Sequence, residues 1–235
     1  MQSYFIWNGV DSRSRGIILR TSAPLIRPEE RVTHTVIPGL SGDLTELEGE
    51  NIYNSYIHTI GISVRDGCHV RDIFKWLRGS GYVTFSGEPD KKQEARVIGA
   101  VTLNKVSRNL DRWAGQVQFY CQPLKGRIYD LPETLTAAGT VRNHGDVASK
   151  PLIIATPSSG VTTMTITVGG KTLTLTSVDA ARRIDCLAQE VSNTAQTTLY
   201  TDKSSGPFPM LAMGDNAISG TGWASLMIYK RERFL

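Results

Sequence analysis

The sequence predicts a mainly β protein with two domains, an N-terminal antiparallel β domain with one packed α-helix (residues 1–125) and a C-terminal β-sandwich (residues 126–235). Residues Val161–Thr176 alternate between apolar and polar positions around a central Gly-Gly pair, which is the period of a β-strand with two unlike faces. One segment of the first domain has a helical apolar stripe. In the second domain, short apolar runs are separated by Gly, Asn and Asp, as in β-sandwiches and jelly rolls.

Apolar runs in the first domain predict short strands separated by turns, with Asn8-Gly9 as the first turn. The segment Pro38–Asn51 is rich in Gly and acidic residues and is interpreted as a mobile surface loop or a loose hairpin. Pro123–Gly126 is the predicted boundary, because Pro and Gly often end a strand. The predicted strands are Tyr4–Trp7, Gly16–Leu19, Arg31–Ile37, Tyr56–Arg65, Tyr82–Ser86, Ala95–Val106 and Trp113–Cys121, the last two joined by a polar link, Ser107–Asp111.

One helix is predicted near residues 68–78. Asp66 is a suitable N-cap, and Gly79 and Gly81 are predicted to end the helix. Trp76 lies off the apolar stripe and is interpreted as a second contact inside the domain or as an exposed anchor for a partner. The stripe has the spacing i, i+3, i+4 and i+7 and consists of Val70, Ile73, Phe74 and Leu77.

The alternating segment of the second domain is predicted to be a β-hairpin. Gly169-Gly170 lies at its centre, and a Gly-Gly pair readily adopts the positive φ angles of a two-residue turn. The apolar face needs a second sheet to cover it, whereas the threonine face is expected to be solvated or to face a partner. The predicted register pairs Met164 with Leu175, Ile166 with Leu173, Thr163 with Thr176, Thr165 with Thr174 and Thr167 with Thr172.

Around this hairpin, further short strands complete the predicted sandwich. The segments Asn143–Asp146 and Gly214–Asn216 are predicted turns, and Thr201–Pro207 is a predicted polar loop. The predicted strands are Thr134–Val141, Pro151–Thr156, Arg183–Leu187, Thr197–Tyr200 and Trp223–Tyr229.

Charge and cysteine usage exclude several classes of protein. The net charge of +4 is spread out, with 16 Lys and Arg against 13 Asp and Glu in residues 1–125, so specific nucleic-acid binding is weakly supported. Cys68, Cys121 and Cys186 are not in a paired spacing, which argues against disulfides and structural zinc. Cys121 and Cys186 are expected in the core. The N-terminus does not resemble a signal peptide and no apolar run would span a membrane, so synthesis in a cytoplasm is expected.

No catalytic, cofactor-binding or metal-binding residues are predicted. Gly170-Lys171-Thr172 resembles the end of a phosphate-binding loop, but the glycine required five positions earlier is Thr165. His34 and His58 fall in strand patterns and are expected near each other in a sheet, without the further ligands that a metal needs. Cys68-His69 is interpreted as the start of the helix rather than as a thiol nucleophile.

The spacing of the acidic residues in the second domain does not identify two carboxylates that would face each other for sugar hydrolysis. These residues are Asp179, Asp185, Glu190 and Asp215. Asp185 is expected to face water or a turn, and Asp215-Asn216 is interpreted as turn chemistry. The sequence therefore predicts a binding or structural protein and no enzyme.

Short motifs occur in a characteristic order along nearly the whole chain. In this order and spacing they resemble the distal tail protein family of siphophages, the phages with long flexible tails. The motifs are Phe5–Ser12 with Gly16-Ile17, Ile37-Pro38-Gly39 ahead of the acidic loop, Trp76-Leu77 with Gly81-Tyr82, Phe119–Pro123, Asn143-x-Gly145, Pro151–Ile154, Ile184-Asp185-Cys186, and Phe208–Leu211 ahead of Gly214-Asp215-Asn216.

The resemblance implies a virion structural protein of the tail tip, or baseplate, that takes part in host attachment. Six copies would form a ring through the N-terminal domains and join the tail tube protein to the tail-associated hub protein. Genome DNA would pass through the lumen without specific binding, and no membrane would be involved. The C-terminal domain would be galectin-like and able to hold receptor-binding proteins. The 235 residues leave no room for a carbohydrate-binding insertion, and the short loops Ser177–Ala181 and Thr201–Pro207 predict that a receptor-gripping arm is missing.

Ring assembly needs head-to-tail contacts that close on themselves, and exposed strand edges and long loops are common means. The candidates are the Pro38–Asn51 loop and the edge of strand Ala95–Val106. The alternative function is a lectin-like carbohydrate-binding protein that uses the C-terminal sandwich. That function needs an exposed aromatic platform, for which Trp223 or Tyr200 would have to serve.

Overall fold

The structure, a computed structural model, describes residues 3–106 and 111–235. Residues 107–110 of the predicted polar link lie outside the described residues. The chain divides into two compact units, one ending at Ile128 and the other spanning Tyr129–Phe234, with Leu235 grouped with the first. Strands predominate and the described residues form a single α-helix, so the predicted mainly β fold with one helix is confirmed.

The first unit is built on a large antiparallel sheet with the strand order β2-β1-β7-β8-β9-β6-β3. A separate two-stranded sheet consists of β4 and β5. A 3-10 helix spans Ser12–Arg15. The elements are β1 (Phe5–Trp7), β2 (Val10–Asp11), β3 (Ile17–Leu19), β4 (Val32–Val36), β5 (Asp43–Leu47), β6 (Tyr56–Val64), α1 (Val70–Trp76), β7 (Ser80–Phe85), β8 (Lys91–Lys105) and β9 (Trp113–Arg127).

Alternation along the central strands positions the core of this unit. Along β6, every second residue from His58 to Val64 is buried, as expected for a strand with one covered face. The β1–β2 turn is made by Asn8 and Gly9, both with positive φ (49° and 79°), which fits the twist of a tight hairpin. The predicted turn at Asn8-Gly9 is therefore confirmed.

The helix differs from its prediction at both ends. Its N-cap is His69 rather than Asp66, because Gly67 adopts a positive φ of 79° and the chain turns once more before the helix begins. Gly81 does not end the helix but lies in β7, whereas Gly79 does adopt a positive φ. Leu77 donates its N–H to the carbonyl of Ile73 as the last helical bond.

The buried face of the helix is also rotated from the predicted stripe. Ile73 and Leu77 are buried, but Phe74 is 40% exposed. Trp76 stacks on Phe5, with ring centroids 5.6 Å apart. Successive residues are about 100° apart around a helix, so Trp76 at i+3 and Leu77 at i+4 from Ile73 cover the sheet and turn Phe74 outward. The interpretation of Trp76 as a contact inside the domain is confirmed.

The predicted end of the last strand at Pro123–Gly126 is wrong, because β9 continues to Arg127. The pairing of β8 with β9 is irregular between Gln93 and Ala95, opposite Pro123. Proline cannot donate a hydrogen bond to the ladder and is tolerated at such an irregularity. A proline in the sequence therefore marks a bulge here instead of a strand end.

The second unit is a sandwich of two five-stranded antiparallel sheets, ordered β10-β19-β12-β15-β16 and β11-β18-β13-β14-β17. Residues from both sheets form one core cluster that includes Ile153, Met164 and Leu226. A 3-10 helix spans Thr201–Lys203. The strands are β10 (Glu133–Leu135), β11 (Gly139–Asn143), β12 (Leu152–Pro157), β13 (Thr163–Val168), β14 (Lys171–Thr176), β15 (Arg182–Asp185), β16 (Glu190–Asn193), β17 (Ser204–Ser205), β18 (Gly214–Thr221), β19 (Trp223–Tyr229) and β20 (Arg233–Phe234).

The predicted hairpin is confirmed residue by residue as β13–β14. Its register is the predicted one, from Thr163 opposite Thr176 to Thr167 opposite Thr172. Gly169 and Gly170 make the turn with φ of 55° and 76°. The apolar face is buried in the sandwich, and the threonine face is exposed or half-exposed.

Three predictions in this unit are wrong. Thr134–Val141 is not one strand but contributes to β10 and β11, which lie in different sheets. Thr197–Tyr200 is not a strand, because the Asn193 side chain accepts hydrogen bonds from the N–H groups of Thr197 and Thr198 and closes a turn. Gly214–Asn216 is the start of β18 rather than a turn.

Candidate assembly surface

The hairpin of β4 and β5 is the most exposed regular element of the first unit. Its register runs from Val32 opposite Leu47 to Val36 opposite Asp43, so the hairpin alternative for this segment is confirmed. All residues of the two strands are exposed except Val32, which is half-exposed. A two-stranded hairpin is marginally stable alone in water, and this one has no covering layer among the described residues.

Large apolar side chains of this hairpin point into solvent. Val36 is 74% exposed, Leu40 57%, Leu44 44% and Leu47 61%. Single exposed apolar residues are ordinary, but several on one element make it a candidate interaction site. Val36 and Leu47 share one face, because β-strand side chains alternate and Val32, which shares a face with Val36, is the partner of Leu47.

The two legs of the hairpin remain paired beyond β4 and β5, as far as a buried tyrosine. Arg31 donates its N–H to the carbonyl of Ile52, and Asn54 donates to that of Glu29. Glu30 and Tyr53 form an isolated bridge, and Tyr53 is buried. We call the exposed hairpin, residues 32–50, the arm; it continues into the paired segment that ends at the buried Tyr53.

The arm is acidic and the rest of the unit is basic. Residues 32–50 contain no Lys or Arg and four acids, Asp43, Glu46, Glu48 and Glu50. The other residues up to position 125 contain 16 Lys and Arg against 9 acids. Within the described residues, only Glu48 of these four acids has an ion pair, with Arg31 at 3.8 Å. The other three acids, Asp43, Glu46 and Glu50, are exposed.

The second candidate contact, the edge of strand Ala95–Val106, is already paired within the unit over part of its length. β7 pairs with β8 as far as Arg96, opposite Ser80. The N–H of Val97 donates to the carbonyl of Gly79. After Val97, the described strands pair with β8 on one side only, through β9. A free strand edge therefore extends from about Ile98 to Lys105, interrupted by an irregularity near Gly99.

The residues considered for chemistry do not come together. His58 is buried in β6 and His34 is exposed in the arm, so the expected proximity of the two in one sheet is wrong. Burial raises the pKa of the Cys121 and Cys186 thiols to about 12, so both remain protonated core residues as predicted. Lys171 lies beside a hairpin turn and pairs with Val168, which is not the setting of a phosphate loop. No group of three or more His, Cys, Asp or Glu that could hold a metal lies within residues 3–106 and 111–235.

Three of the four acids considered for sugar hydrolysis are paired with arginines rather than with each other. Asp179 pairs with Arg182 at 2.6 Å, and Asp215 faces Arg142 at 3.6 Å. Asp185 lies opposite Glu190 in the β15–β16 register, but its carboxylate is occupied by Arg183 and Arg231. Of the two expected settings of Asp185, water is wrong, since the residue is 7% exposed. The turn is confirmed, because Oδ1 of Asp185 accepts from the N–H groups of Leu187 and Ala188 in the turn after β15.

The aromatic residues named for a lectin function are not free platforms. Trp223 is 9% exposed and belongs to the sandwich core. Tyr200 is half-buried and the guanidinium of Arg182 lies 3.9 Å from its ring centroid.

In the described part of the chain, no helix is long and apolar enough to cross a membrane.

Comparison with known proteins gives a fold match and no sequence match. No protein-family model matches the chain, and neither does any curated protein. The chain is similar to the crystal structure of the SPP1 Dit (gp 19.1) protein, described as a paradigm of the hub adsorption apparatus in phages that infect Gram-positive bacteria. The TM-score is 0.76, the identity is 16%, and all of both chains is covered. At this identity the likeness establishes a shared fold.

Proposed function

We propose that this chain is a structural protein of a phage tail tip, which forms a hexameric ring through its first unit. The ring would join the tail tube protein to the tail-associated hub protein and surround the channel through which the DNA leaves. The observation that carries the proposal is the exposed acidic arm of β4 and β5, which a neighbouring subunit would cover. The full-length fold match to a phage hub protein and the order of the sequence motifs support it.

The contact implied by this arm is head-to-tail. A surface of one kind, the acidic apolar arm, would meet a surface of another kind, the basic body of the next copy. Such heterologous contacts form a ring when the rotation between copies closes. In this proposal the second unit is a galectin-like domain that is available to receptor-binding proteins. No observation favours the lectin alternative, because Trp223 is in the core.

Removing the apolar side chains of the arm should abolish ring assembly. In Val36→Ser with Leu47→Ser, both side chains are exposed in the isolated subunit, so the fold should be unchanged. Burial of each such side chain at an interface contributes about 1.5–3 kcal/mol. We expect the concentration needed for assembly to rise at least tenfold, measured by size-exclusion chromatography with light scattering and by electron microscopy, with hub and tube proteins added.

The matched control is Thr33→Ser with Thr35→Ser, which changes β4 on the opposite face of the arm. It should assemble like the unmodified chain. The proposal fails if the unmodified chain stays a monomer at high concentration with its partners present, or if the Val36 and Leu47 variant assembles normally.

Assembly should weaken as ionic strength rises. The arm carries four acids and no base, and attraction between exposed opposite charges is screened over about 10 Å at 0.1 M salt and about 3 Å at 1 M. We expect the ring fraction at a fixed subunit concentration to fall between 0.05 and 0.5 M NaCl, measured by sedimentation velocity. Glu46→Gln with Glu50→Gln should flatten this dependence. A ring fraction that rises with salt would show that apolar burial alone drives the contact.

A further inference from the structure

A pocket of about 620 Å³ lies wholly within the second unit, lined by the end of β13, the start of β14 and the segment 206–210. This is within the range of volumes of ligand-binding pockets. The pocket takes no part in the proposed ring contact, which uses the first unit. Its apolar lining residues include Val168, Pro207, Phe208, Pro209 and Met210.

The rim of this pocket is positively charged. Lys150 and Lys171 both line it and are exposed. None of the described lining residues is Asp or Glu. Among the described ion pairs, neither lysine has a carboxylate partner. Two ammonium groups therefore border an apolar floor without a counter-charge, which favours an occupant that is apolar in the middle and acidic at its edge.

One flexible apolar side chain of the lining is accessible to a partner. Met210, which lines the pocket, is 49% exposed. Methionine adapts its shape to a partner and is frequent in protein-binding surfaces. The composition is that of a polypeptide-binding site.

A sugar fits the same pocket poorly. The amide of Asn216, a lining residue, is already used, since its Oδ1 accepts from the N–H of Ala212 and its Nδ2 donates to the carbonyls of Ala212 and Gly214. Of the lining amides, Gln189 is then left to bind hydroxyl groups. Sites with few convergent polar groups and an apolar lining select apolar occupants.

We infer that this pocket docks an acidic polypeptide segment of a partner protein, with one aromatic or large aliphatic side chain inserted against Phe208 and Met210. Carboxylates that flank the inserted side chain would face Lys150 and Lys171. Segments of this kind dock by one buried anchor surrounded by polar contacts. The inference is independent of the ring, because a monomer would bind the segment equally well.

The test uses the full chain and three fluorescein-labelled model peptides, measured by fluorescence anisotropy at 0.05 M NaCl. One peptide has a tryptophan flanked by Asp and Glu, the second has the same tryptophan flanked by Asn and Gln, and the third has the acids with alanine in place of tryptophan. We expect saturable binding of the first peptide and at least tenfold weaker binding of the other two. Lys150→Glu with Lys171→Glu should weaken the first peptide at least tenfold, and Met210→Asp should also weaken it.

The matched control is Lys75→Glu with Lys92→Glu in the first unit, which changes the net charge equally and should leave peptide binding unchanged. The inference is overturned if the first peptide does not bind, if the alanine peptide binds as well as the tryptophan peptide, or if the Lys150 and Lys171 variant binds like the control. The inference would also be overturned if dextran sulfate, an anionic polysaccharide, displaced the first peptide and the alanine peptide displaced it equally well. Charge alone would then explain binding.

Discussion

Replacing Asp185 with asparagine is expected to destabilise the second unit by about 3 kcal/mol, because it leaves two arginines without their counter-charge. Arg231 binds the carboxylate at both oxygens, with Nη1–Oδ1 at 2.6 Å and Nη2–Oδ2 at 3.0 Å. Arg183 adds a contact of 2.9 Å to Oδ2. Oδ1 also accepts from the N–H groups of Leu187 and Ala188, at 3.1 and 3.2 Å.

The magnitude follows from the burial of the carboxylate. The Asp185 side chain is 10% exposed, with Arg183 at 17% and Arg231 at 25%. Breaking a fully buried pair costs about 3–5 kcal/mol, and the partial exposure of the arginines places the expected loss at the lower end. Urea unfolding is monitored by hydrogen exchange in peptides that cover β13–β14. This measures the loss in the free energy of unfolding of the second unit separately from that of the first.

Asp215→Asn is the matched control, because Asp215 also faces an arginine but both side chains are more than 60% exposed. Exposed ion pairs contribute little to stability, so this variant should unfold close to the unmodified chain. Equal losses in the two variants would show that the Asp185 pairs are as weak as surface pairs.

The pairs around Asp185 also determine how the second unit responds to acid. Hydrogen bonds from the Arg231 side chain are the main reason why the pKa of Asp185 lies well below its usual range. Hydrogen bonds from the backbone N–H of Ala188 and from the Arg183 side chain lower this pKa further. A carboxylate with a lowered folded-state pKa stabilises the fold above its unfolded pKa, and this contribution is lost as the pH falls through the folded value. Down to about pH 4, the contribution of Asp185 should therefore persist.

Local periodicity was enough to predict the parts of the fold that depend on neighbouring residues. The β13–β14 register follows from strict alternation and one Gly-Gly turn, and both act within a single segment. The rotation of α1 was not predictable in this way. Trp76 covers Phe5, which is distant in sequence, so the buried face of the helix depends on a contact that helical spacing does not contain.

The same distinction separates the predictable from the unpredictable parts of the candidate site. The Gly-rich, acidic composition of Pro38–Asn51 predicts an exposed loop or hairpin, and the structure contains the hairpin. For Asp185 the sequence predicts water or a turn, and the ion pair with Arg231 is not predictable from neighbouring residues, because this partner is 46 positions away. The segment Gly214–Asn216 has the composition of a turn but begins strand β18. The side-chain amide of Asn216 is buried there and donates hydrogen bonds to the carbonyls of Ala212 and Gly214.

Acid should destabilise the first unit through His58, a buried histidine of β6. The side chain is 2% exposed, and neither ring nitrogen has a hydrogen-bond partner among the described residues. The ring packs against Phe85, with centroids 4.3 Å apart. Burial, and secondarily the charge of Lys125, lower the pKa of His58 from 6.5 to about 4.

The sign of the effect follows from where the proton binds. Because the folded pKa lies below the unfolded pKa of 6.5, the unfolded chain takes up the proton first, and stability falls as the pH drops from about 6.5 to 4. One pKa unit corresponds to about 1.4 kcal/mol, so His58 should account for a loss of about 2 kcal/mol between pH 7 and pH 5. Glu88 does not offset this loss at pH 5, although burial raises its pKa, because hydrogen bonds from Lys125 and Lys91 lower it overall.

The measurement is urea unfolding of the unmodified chain and of His58→Phe at pH 7 and pH 5, followed by hydrogen exchange of β6 and β9 peptides. The phenylalanine is apolar and does not titrate, so the variant should lose about 2 kcal/mol less than the unmodified chain over this range. His34→Phe, at an exposed position of the arm, is the control and should keep the full pH dependence. If His58→Phe loses as much stability as the control, protonated His58 is accommodated in the fold, and the acid sensitivity of this unit arises from other groups.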